Sequence, residues 1–123
     1  MSSIFESLTP TQVKRVTAAG RSVRLPEGWS PISERTGADK AYILRSGEVS
    51  VRKGGQEIAR LGEGEIFGEQ AIVNHTLRSA TIVALTPLEL LHYTSEDIQK
   101  LLDEVPGFRE AVERAAAERV GEG

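Results

Sequence analysis

The sequence predicts a mainly β domain with flanking helices, in which about eight short strands form a sandwich or jelly roll. Two observations support this fold class. Residues 21–93 consist of short apolar runs separated by turns rich in Gly and Pro, whereas the segments on either side repeat apolar residues at helical spacing. The length fits a single domain over 1–123, with a helical segment at 1–20, the strands at 21–93 and two helices at 94–120.

The N-terminal helix is predicted over residues 9–19. Thr9 is a suitable N-cap, Pro10 takes the first helical position, and Gln12 stands where a capping box requires it. Gly20 is expected to end the helix.

The strands are predicted from short apolar runs between turns. Pro31 interrupts the second run, which places that strand at a sheet edge. Gly54 and Gly55 indicate a hairpin turn. The strands are expected at 22–25, 29–35, 41–45, 48–52, 57–61, 66–67, 78–85 and 88–93.

From Thr94 the apolar spacing becomes helical. Thr94 is a suitable N-cap, and Asp97 follows at the capping-box position. Pro106 ends this helix, and a second helix is predicted over 108–120. The apolar face of the first helix is formed by Ile98, Leu101, Leu102 and Val105.

The stretch 66–84 carries the most specific chemistry. A Gly-rich turn leads into a short helical segment, whose first backbone amides suit an anion, and Gly68 permits close approach of a ligand. In the strand predicted at 78–85, Arg78 shares a face with Ile82. If that face is interior, the guanidinium needs a partner such as a phosphate. The opposite face is also partly apolar, so both orientations stay open.

Glu69 lies nine positions before Arg78. A carboxylate repels a phosphate, but it suits a site in which it accepts hydrogen bonds from a ribose hydroxyl. Taken one at a time, the two residues fit a solvated turn carboxylate and a surface strand cation. Their combination favours a nucleotide site.

This stretch resembles the phosphate-binding cassette of the cyclic nucleotide-binding domain family, of the catabolite activator and protein kinase A regulatory subunit type. Two positions depart from the family pattern: Gln70 replaces an aliphatic residue and Leu77 replaces a proline. Residues 37–49 resemble a second family motif, and the resemblance covers 4–110. The matching cassette residues are Phe67, Gly68, Glu69, Ala71, Ile72, Arg78, Ser79, Ala80 and Thr81.

The resemblance implies an eight-stranded β-roll, or jelly roll, that binds cyclic AMP, with cyclic GMP as the other candidate ligand. Arg78 would contact the cyclic phosphate and Glu69 the ribose 2′-hydroxyl. In the family the last helix covers the base. Here that helix is short, so an incomplete lid or one supplied by another subunit is expected, and the candidates to stack on the base are Arg109, Arg114 and Arg119. The complete ligand-binding set would be Gly68, Glu69, Gln70, Ala71, Arg78, Ser79 and Ala80.

Composition argues against several other classes. The net charge of −3 without a long basic run disfavours direct nucleic-acid binding, and the lack of Cys excludes thiolate chemistry. No signal peptide or apolar run of about 18 residues is present, so we expect a cytoplasmic protein without membrane contact. His75 and His92 lack the spacing of a cupin metal site, and neither a nucleophile elbow nor a phosphate loop is found. We therefore expect no enzyme, no metal and no cofactor.

The expected function is a stand-alone sensor that signals to a separate protein effector. No helix-turn-helix, kinase or channel segment follows the predicted strands, so the C-terminal helices are expected to transmit the signal. Homodimerisation is considered as well. The alternative is a ligand-free interaction module on the same fold.

Overall fold

The structure, a computed structural model, describes residues 3–37 and 39–118 of the chain. Helices flank a β-rich centre and interrupt it once. In chain order, the elements of the described residues are α1 (Pro10–Ala19), β1 (Arg21–Leu25), β2 (Lys40–Ser46), β3 (Val49–Lys53), β4 (Gln56–Leu61), β5 (Ile66–Phe67), α2 (Glu69–Asn74), β6 (Thr81–Ala84), β7 (Leu88–Thr94), α3 (Ser95–Glu104) and α4 (Pro106–Glu118).

The strands of the described residues form two antiparallel sheets. One has the order β1-β7-β2-β5 and the other the order β4-β3-β6. At the corner before β3, Gly47 has φ +102, and a Cβ atom there would lie 2.5 Å from the carbonyl oxygen of Pro87. The predicted mainly β fold with helices at both ends is confirmed, but the described residues contain seven strands instead of eight.

The prediction of a strand at 29–35 was wrong. This segment runs beside β6 but makes a single isolated bridge, between Ile32 and Ile82. Pro31 has no amide hydrogen to donate. Backbone bonds still join the segment to β6, since the Ile82 amide donates to the Ile32 carbonyl at 2.9 Å and the Ala84 amide donates to the Trp29 carbonyl at 2.8 Å. The Ser30 hydroxyl also donates to the Ile32 carbonyl, at 2.9 Å.

The prediction of a strand at 78–85 placed its start too early. Strand β6 begins at Thr81, and Arg78 lies in the segment that leads into it. The backbone of Arg78 pairs with a loop, since its amide donates to the Thr36 carbonyl at 2.9 Å and its carbonyl accepts from the Arg35 amide at 2.8 Å. The loop fixes the backbone just where the guanidinium must be positioned.

In the four-stranded sheet, strand β2 is buried on both faces. Along β2, Ala41 and Ile43 pack against the helices, while Tyr42 and Leu44 pack between the two sheets. Burial on both faces explains why β2 reads as a continuous apolar run. The molecule therefore has three layers: helices, the four-stranded sheet and the three-stranded sheet.

The helices begin largely as predicted. Thr9 and Thr94 cap α1 and α3, and both helices have the predicted capping box. Helix α4 begins at Pro106, two residues before the predicted start, because proline is well tolerated at the first helical position. Phe108 is fully buried and joins the helical cluster. The predicted end of this helix at residue 120 lies outside the described residues.

Candidate ligand-binding site

A cavity of about 380 Å³ lies where β3, β4, β6, α2 and α4 meet. The size falls in the range of small-molecule pockets. The residues of the predicted ligand-binding set all line it: Gly68, Glu69, Gln70, Ala71, Arg78, Ser79 and Ala80. Apolar side chains line it as well: Val51, Ile58, Leu61, Leu77, Ile82 and Ala116. The cavity therefore combines two charged side chains with a largely apolar lining.

Gly68 is the residue from which α2 starts, and its geometry requires glycine. Its φ is +90, a left-handed value, and it offers no side-chain cap to the helix. A Cβ atom would lie 2.7 Å from Cδ1 of Ile32 and 2.9 Å from Nη1 of Arg78. Any side chain at this position would push against the guanidinium and displace the cassette.

Glu69 is fully buried at the first turn of α2. A carboxylate in a first turn is favoured by the helix dipole. The Gln70 amide Nε2 lies 3.5 Å from Glu69 Oε1, a long contact between two residues that both line the cavity. Because an ionised carboxylate only accepts hydrogen bonds, Glu69 is suited to a ligand hydroxyl.

Arg78 is 5% exposed and its guanidinium is held by two backbone carbonyls, those of Gly68 and Lys40. Burial lowers the pKa of the guanidinium from its ordinary value, and nearby Asp39 is the strongest influence that raises it. An arginine stays charged at neutral pH despite such a shift. A guanidinium carries five N–H donors, so it can hold an oxyanion in addition to the two carbonyls.

The charges inside the cavity are few and close together. Of the described residues that line it, Arg78 alone is cationic and Glu69 alone is anionic. The two are near enough that Glu69 helps to keep Arg78 protonated. One oxyanion and an adjacent hydroxyl are the groups that match this arrangement.

Helix α4 does not bring an arginine to the cavity in its described part. Arg109 forms an ion pair with Asp103 at 3.6 Å, Arg114 is exposed and outside the lining, and Arg119 lies beyond the described residues. Ala116 is the described α4 residue that lines the cavity. Of the arginines expected from sequence to stack on a base, Arg109 and Arg114 therefore do not line the cavity, and the prediction for Arg119 lies outside the described residues.

Several lining residues were missed by sequence reasoning. Ile58 reaches the cavity from the β3–β4 hairpin, and Asn74 and Thr76 reach it from the end of α2. The Lys40 carbonyl holds Arg78 across 38 positions of sequence. A carbonyl is present in every residue, so no sequence signal could have singled it out. The replacement of the family's proline by Leu77 was the one sequence signal that this part of the cavity lining differs from the family pattern.

Two searches of the described residues gave negative results. No group of three or more His, Asp or Glu side chains in residues 3–37 and 39–118 is arranged to hold a metal ion. Within the same ranges, no helix has both the length and the apolar character needed to cross a bilayer.

Comparison with known proteins identifies relatives of this chain. The family model of the cyclic nucleotide-binding domain matches residues 22–105. A cGMP-dependent protein kinase of Eimeria tenella is 33% identical over 95 residues, which are 77% of this chain and 10% of the kinase. A cAMP-dependent protein kinase regulatory subunit of Hypocrea atroviridis is 29% identical over 105 residues, which are 85% of this chain and 23% of the subunit. The chain thus spans less than a quarter of the length of these two relatives.

A solved structure gives the same result. The catabolite activator protein of Thermus thermophilus superposes with a TM-score of 0.85 at 30% sequence identity, covering 98% of this chain and 59% of that protein. The family match extends from β1 to the end of α3, and it includes the whole described cavity wall except Ala116. The chain therefore belongs to the cyclic nucleotide-binding domain family.

Proposed function

We propose that this chain is a cyclic nucleotide sensor domain whose ligand is cyclic AMP. The observation that carries the proposal is a buried arginine and a buried glutamate lining one cavity, Arg78 at 5% exposure and Glu69 at 0%. Charged side chains are rarely buried to this degree without a specific role or partner. A cyclic phosphate beside a ribose hydroxyl satisfies both groups.

Each residue of the proposed site has a distinct role. Arg78 pairs with the cyclic phosphate through the N–H groups that the carbonyls do not use. Glu69 accepts the ribose 2′-hydroxyl. Backbone amides of Gly68, Gln70, Ala71 and Ser79 surround the phosphate, and Ala80 completes the wall. None of these roles involves bond breaking, so the proposed activity is binding without catalysis.

Cyclic AMP is proposed ahead of cyclic GMP because of two similarities. A cyclic AMP receptor protein of Thermus thermophilus is 34% identical over 111 residues, which are 85% of this chain and 51% of that protein. The superposed catabolite activator protein comes from the same organism. Relatives named for cyclic GMP also match, so cyclic GMP is the proper comparison ligand.

One observation favours a second candidate, a ligand-free interaction module. The guanidinium of Arg78 already has two protein acceptors, the carbonyls of Gly68 and Lys40. These bonds stabilise the buried cation without any ligand. The two candidates share the fold and differ in whether a nucleotide enters the cavity.

Calorimetric titration with cyclic AMP and with cyclic GMP separates the two candidates. A ligand at about 100 times its Kd stabilises a folded protein by about 2.7 kcal/mol, which for a domain near this size raises Tm by on the order of 10 °C. We expect binding heat and a raised Tm with cyclic AMP. Absence of both effects with millimolar cyclic AMP and cyclic GMP would leave the interaction module as the function.

We further propose that the C-terminal helices pass the signal to a separate protein effector in the cytoplasm, without direct contact with nucleic acid. Ile72 of α2 lies in the same buried cluster as Ile98 and Leu101 of α3. Movement of α2 toward a phosphate would shift this contact. A ligand can drive such a change only by binding one arrangement better than the other.

Amide hydrogen exchange with and without cyclic AMP tests this route. We expect increased protection at residues 66–84 together with a change at 95–118. A response confined to 66–84 would identify a binder that does not act on its C-terminal helices.

A further inference from the structure

The exposed apolar side chains of this domain are concentrated at the cavity. In residues 3–37 and 39–118, three large apolar side chains are exposed: Trp29 at 59%, Ile58 at 37% and Leu77 at 61%. Single exposed apolar residues are ordinary. Two of these three, however, line the same cavity, Ile58 from β4 and Leu77 from the segment after α2.

The position of Leu77 follows from its neighbour. Arg78 is buried and aims its guanidinium at the carbonyls of Gly68 and Lys40. Leu77 is the preceding residue, lines the same cavity and is 61% exposed, so it stands beside the cation and open to solvent. A ligand held by Arg78 would therefore come within reach of this apolar side chain.

In its described part, helix α4 contributes Ala116 to the cavity lining, and a methyl group has no face on which a base could stack. Arg109 is engaged with Asp103. Among the described residues of the lining, Leu77 and Ile58 are the large apolar side chains that are exposed.

We propose that Leu77, together with Ile58, caps the base of the bound nucleotide. The inference rests on the proposed function and assigns the base to an aliphatic clamp within the cassette and the neighbouring hairpin. The two faces of a purine are flat and largely apolar, so they bury aliphatic surface without leaving a polar group unpaired. Leu77 and Ile58 become buried only when the base is present.

The test compares two ligands that share the cyclic phosphate and the 2′-hydroxyl. Cyclic AMP carries the base, and the 3′,5′-cyclic phosphate of methyl riboside does not. Their Kd values are measured by calorimetry and, for weak binding, by NMR titration. The variants are Leu77→Ser, Ile58→Ser, the conservative Leu77→Met, and Ala116→Ser on α4. Trp29→Ser is the matched control, since Trp29 is equally exposed but lies outside the cavity lining.

We expect Leu77→Ser to weaken cyclic AMP about tenfold, equivalent to 1.4 kcal/mol, and to leave the base-free ligand unchanged. Ile58→Ser should act in the same direction, and Leu77→Met should retain most of the affinity. Trp29→Ser should alter neither Kd by more than about twofold, equivalent to roughly 0.4 kcal/mol. Ala116→Ser, which changes the cavity wall, should weaken cyclic AMP less than Leu77→Ser does.

Three results would overturn the inference. Unchanged cyclic AMP affinity in Leu77→Ser would show that Leu77 does not touch the base. An equal loss for both ligands would show that Leu77 acts by placing Arg78. A larger loss in Ala116→Ser than in Leu77→Ser would assign the cap to α4. If the unmodified protein binds neither ligand, the proposed function itself fails. The three results above differ from that outcome, because in each of them the unmodified protein still binds cyclic AMP.

Discussion

Three helices of this domain, α1, α2 and α3, begin in two different ways. Helices α1 and α3 start from threonine caps whose hydroxyls accept a backbone amide three residues on, Gln12 in α1 at 3.2 Å and Asp97 in α3 at 3.0 Å. In both helices the side chain of that third residue accepts a hydrogen bond from the backbone amide of the cap residue. Helix α2 starts instead from Gly68, which has no side chain to offer.

This difference distinguishes α1 and α3, whose starts are fixed locally, from α2, which belongs to the candidate ligand-binding site. Residues three positions apart fix the start of α1 and of α3, so these ends are stable on local grounds. The start of α2 depends on Arg78, ten positions away, which bonds the Gly68 carbonyl. Ligand affinity and the order of α2 therefore rest on the same guanidinium, whereas the ends of α1 and α3 do not involve it.

Arg78→Ala should have the largest effect, because it breaks the site and the support of α2 together. It removes the partner of a ligand phosphate, at a cost of about 2–5 kcal/mol in binding. It also removes the hydrogen-bond donor of the Gly68 and Lys40 carbonyls, which should lower the free energy of unfolding by about 1–3 kcal/mol. Calorimetric Kd values and urea unfolding measure the two losses.

Arg78→Lys is the matched control for charge. Lysine keeps the positive charge but lacks the planar fork that reaches two carbonyls at once. We expect most of the loss seen in Arg78→Ala. Full binding and full stability in Arg78→Lys would show that charge alone is needed and that the two carbonyl bonds are incidental.

Glu69→Ala should have the next largest effect and should leave the contact between Arg78 and the ligand phosphate unchanged. Loss of the acceptor for a hydroxyl costs about 1–3 kcal/mol of cyclic AMP binding. A 2′-deoxy analogue should bind the unmodified protein weakly, and Glu69→Ala should weaken it little further. Calorimetry on both ligands gives this double-mutant cycle. An additional loss of the same size for the 2′-deoxy ligand would contradict a role of Glu69 in reading the ribose.

The two kinds of helix start also explain what the sequence could reveal. Thr9 with Gln12 and Thr94 with Asp97 are close in sequence, so both caps were predicted and are confirmed. Strand β6 was predicted too long because apolar alternation continues where the backbone of Arg78 pairs with a loop. Local patterns identify elements and those ends that have a local cap, whereas the start of β6 is decided by a distant partner.

The cavity shows the same limit. The pairing of Glu69 with Arg78 in one cavity was anticipated from the family pattern, and the structure places both there. Their proposed contacts with a nucleotide stay predictions. The Lys40 carbonyl and the approach of Ile58 and Ala116 depend on sheet packing, which a linear pattern does not encode. These parts of the cavity were therefore beyond sequence reasoning, whereas the charged pair was not.

Thr94→Ala should lower stability without changing the site. Loss of the cap of α3 costs about 1 kcal/mol, and Thr9→Ala should cost a similar amount at α1. Chemical denaturation measures both, and cyclic AMP titration is the control. Since neither threonine lines the cavity, Kd should stay within about twofold, or roughly 0.4 kcal/mol. A large change of Kd in Thr94→Ala alone would mean that the start of α3 is coupled to the ligand.

His92→Gln should have the smallest effect, one visible through pH. His92 is half-buried in β7, and the edge of its ring meets the ring of Tyr42, with 5.4 Å between centroids. Tyr42 in turn stacks on Phe67, the residue before the start of the cassette helix. Burial lowers the pKa of His92, and the cations Lys40 and Arg21 lower it further. His92 thus lies at the border between the central sheet and the site.

A lowered pKa in the folded state fixes the sign of the pH effect. Below the unfolded pKa of about 6.5 the unfolded chain takes up the proton more readily, so stability is lost as pH falls through the folded pKa. The acids Asp97 and Asp39 oppose this shift only in part. We expect Tm to fall more between pH 7.5 and pH 5.5 in the unmodified protein than in His92→Gln. The carboxylates are common to both proteins, so their contribution to the pH dependence cancels in the difference. Identical pH profiles would mean that His92 titrates as freely in the folded protein as in the unfolded chain, and that its contact with Tyr42 is indifferent to charge.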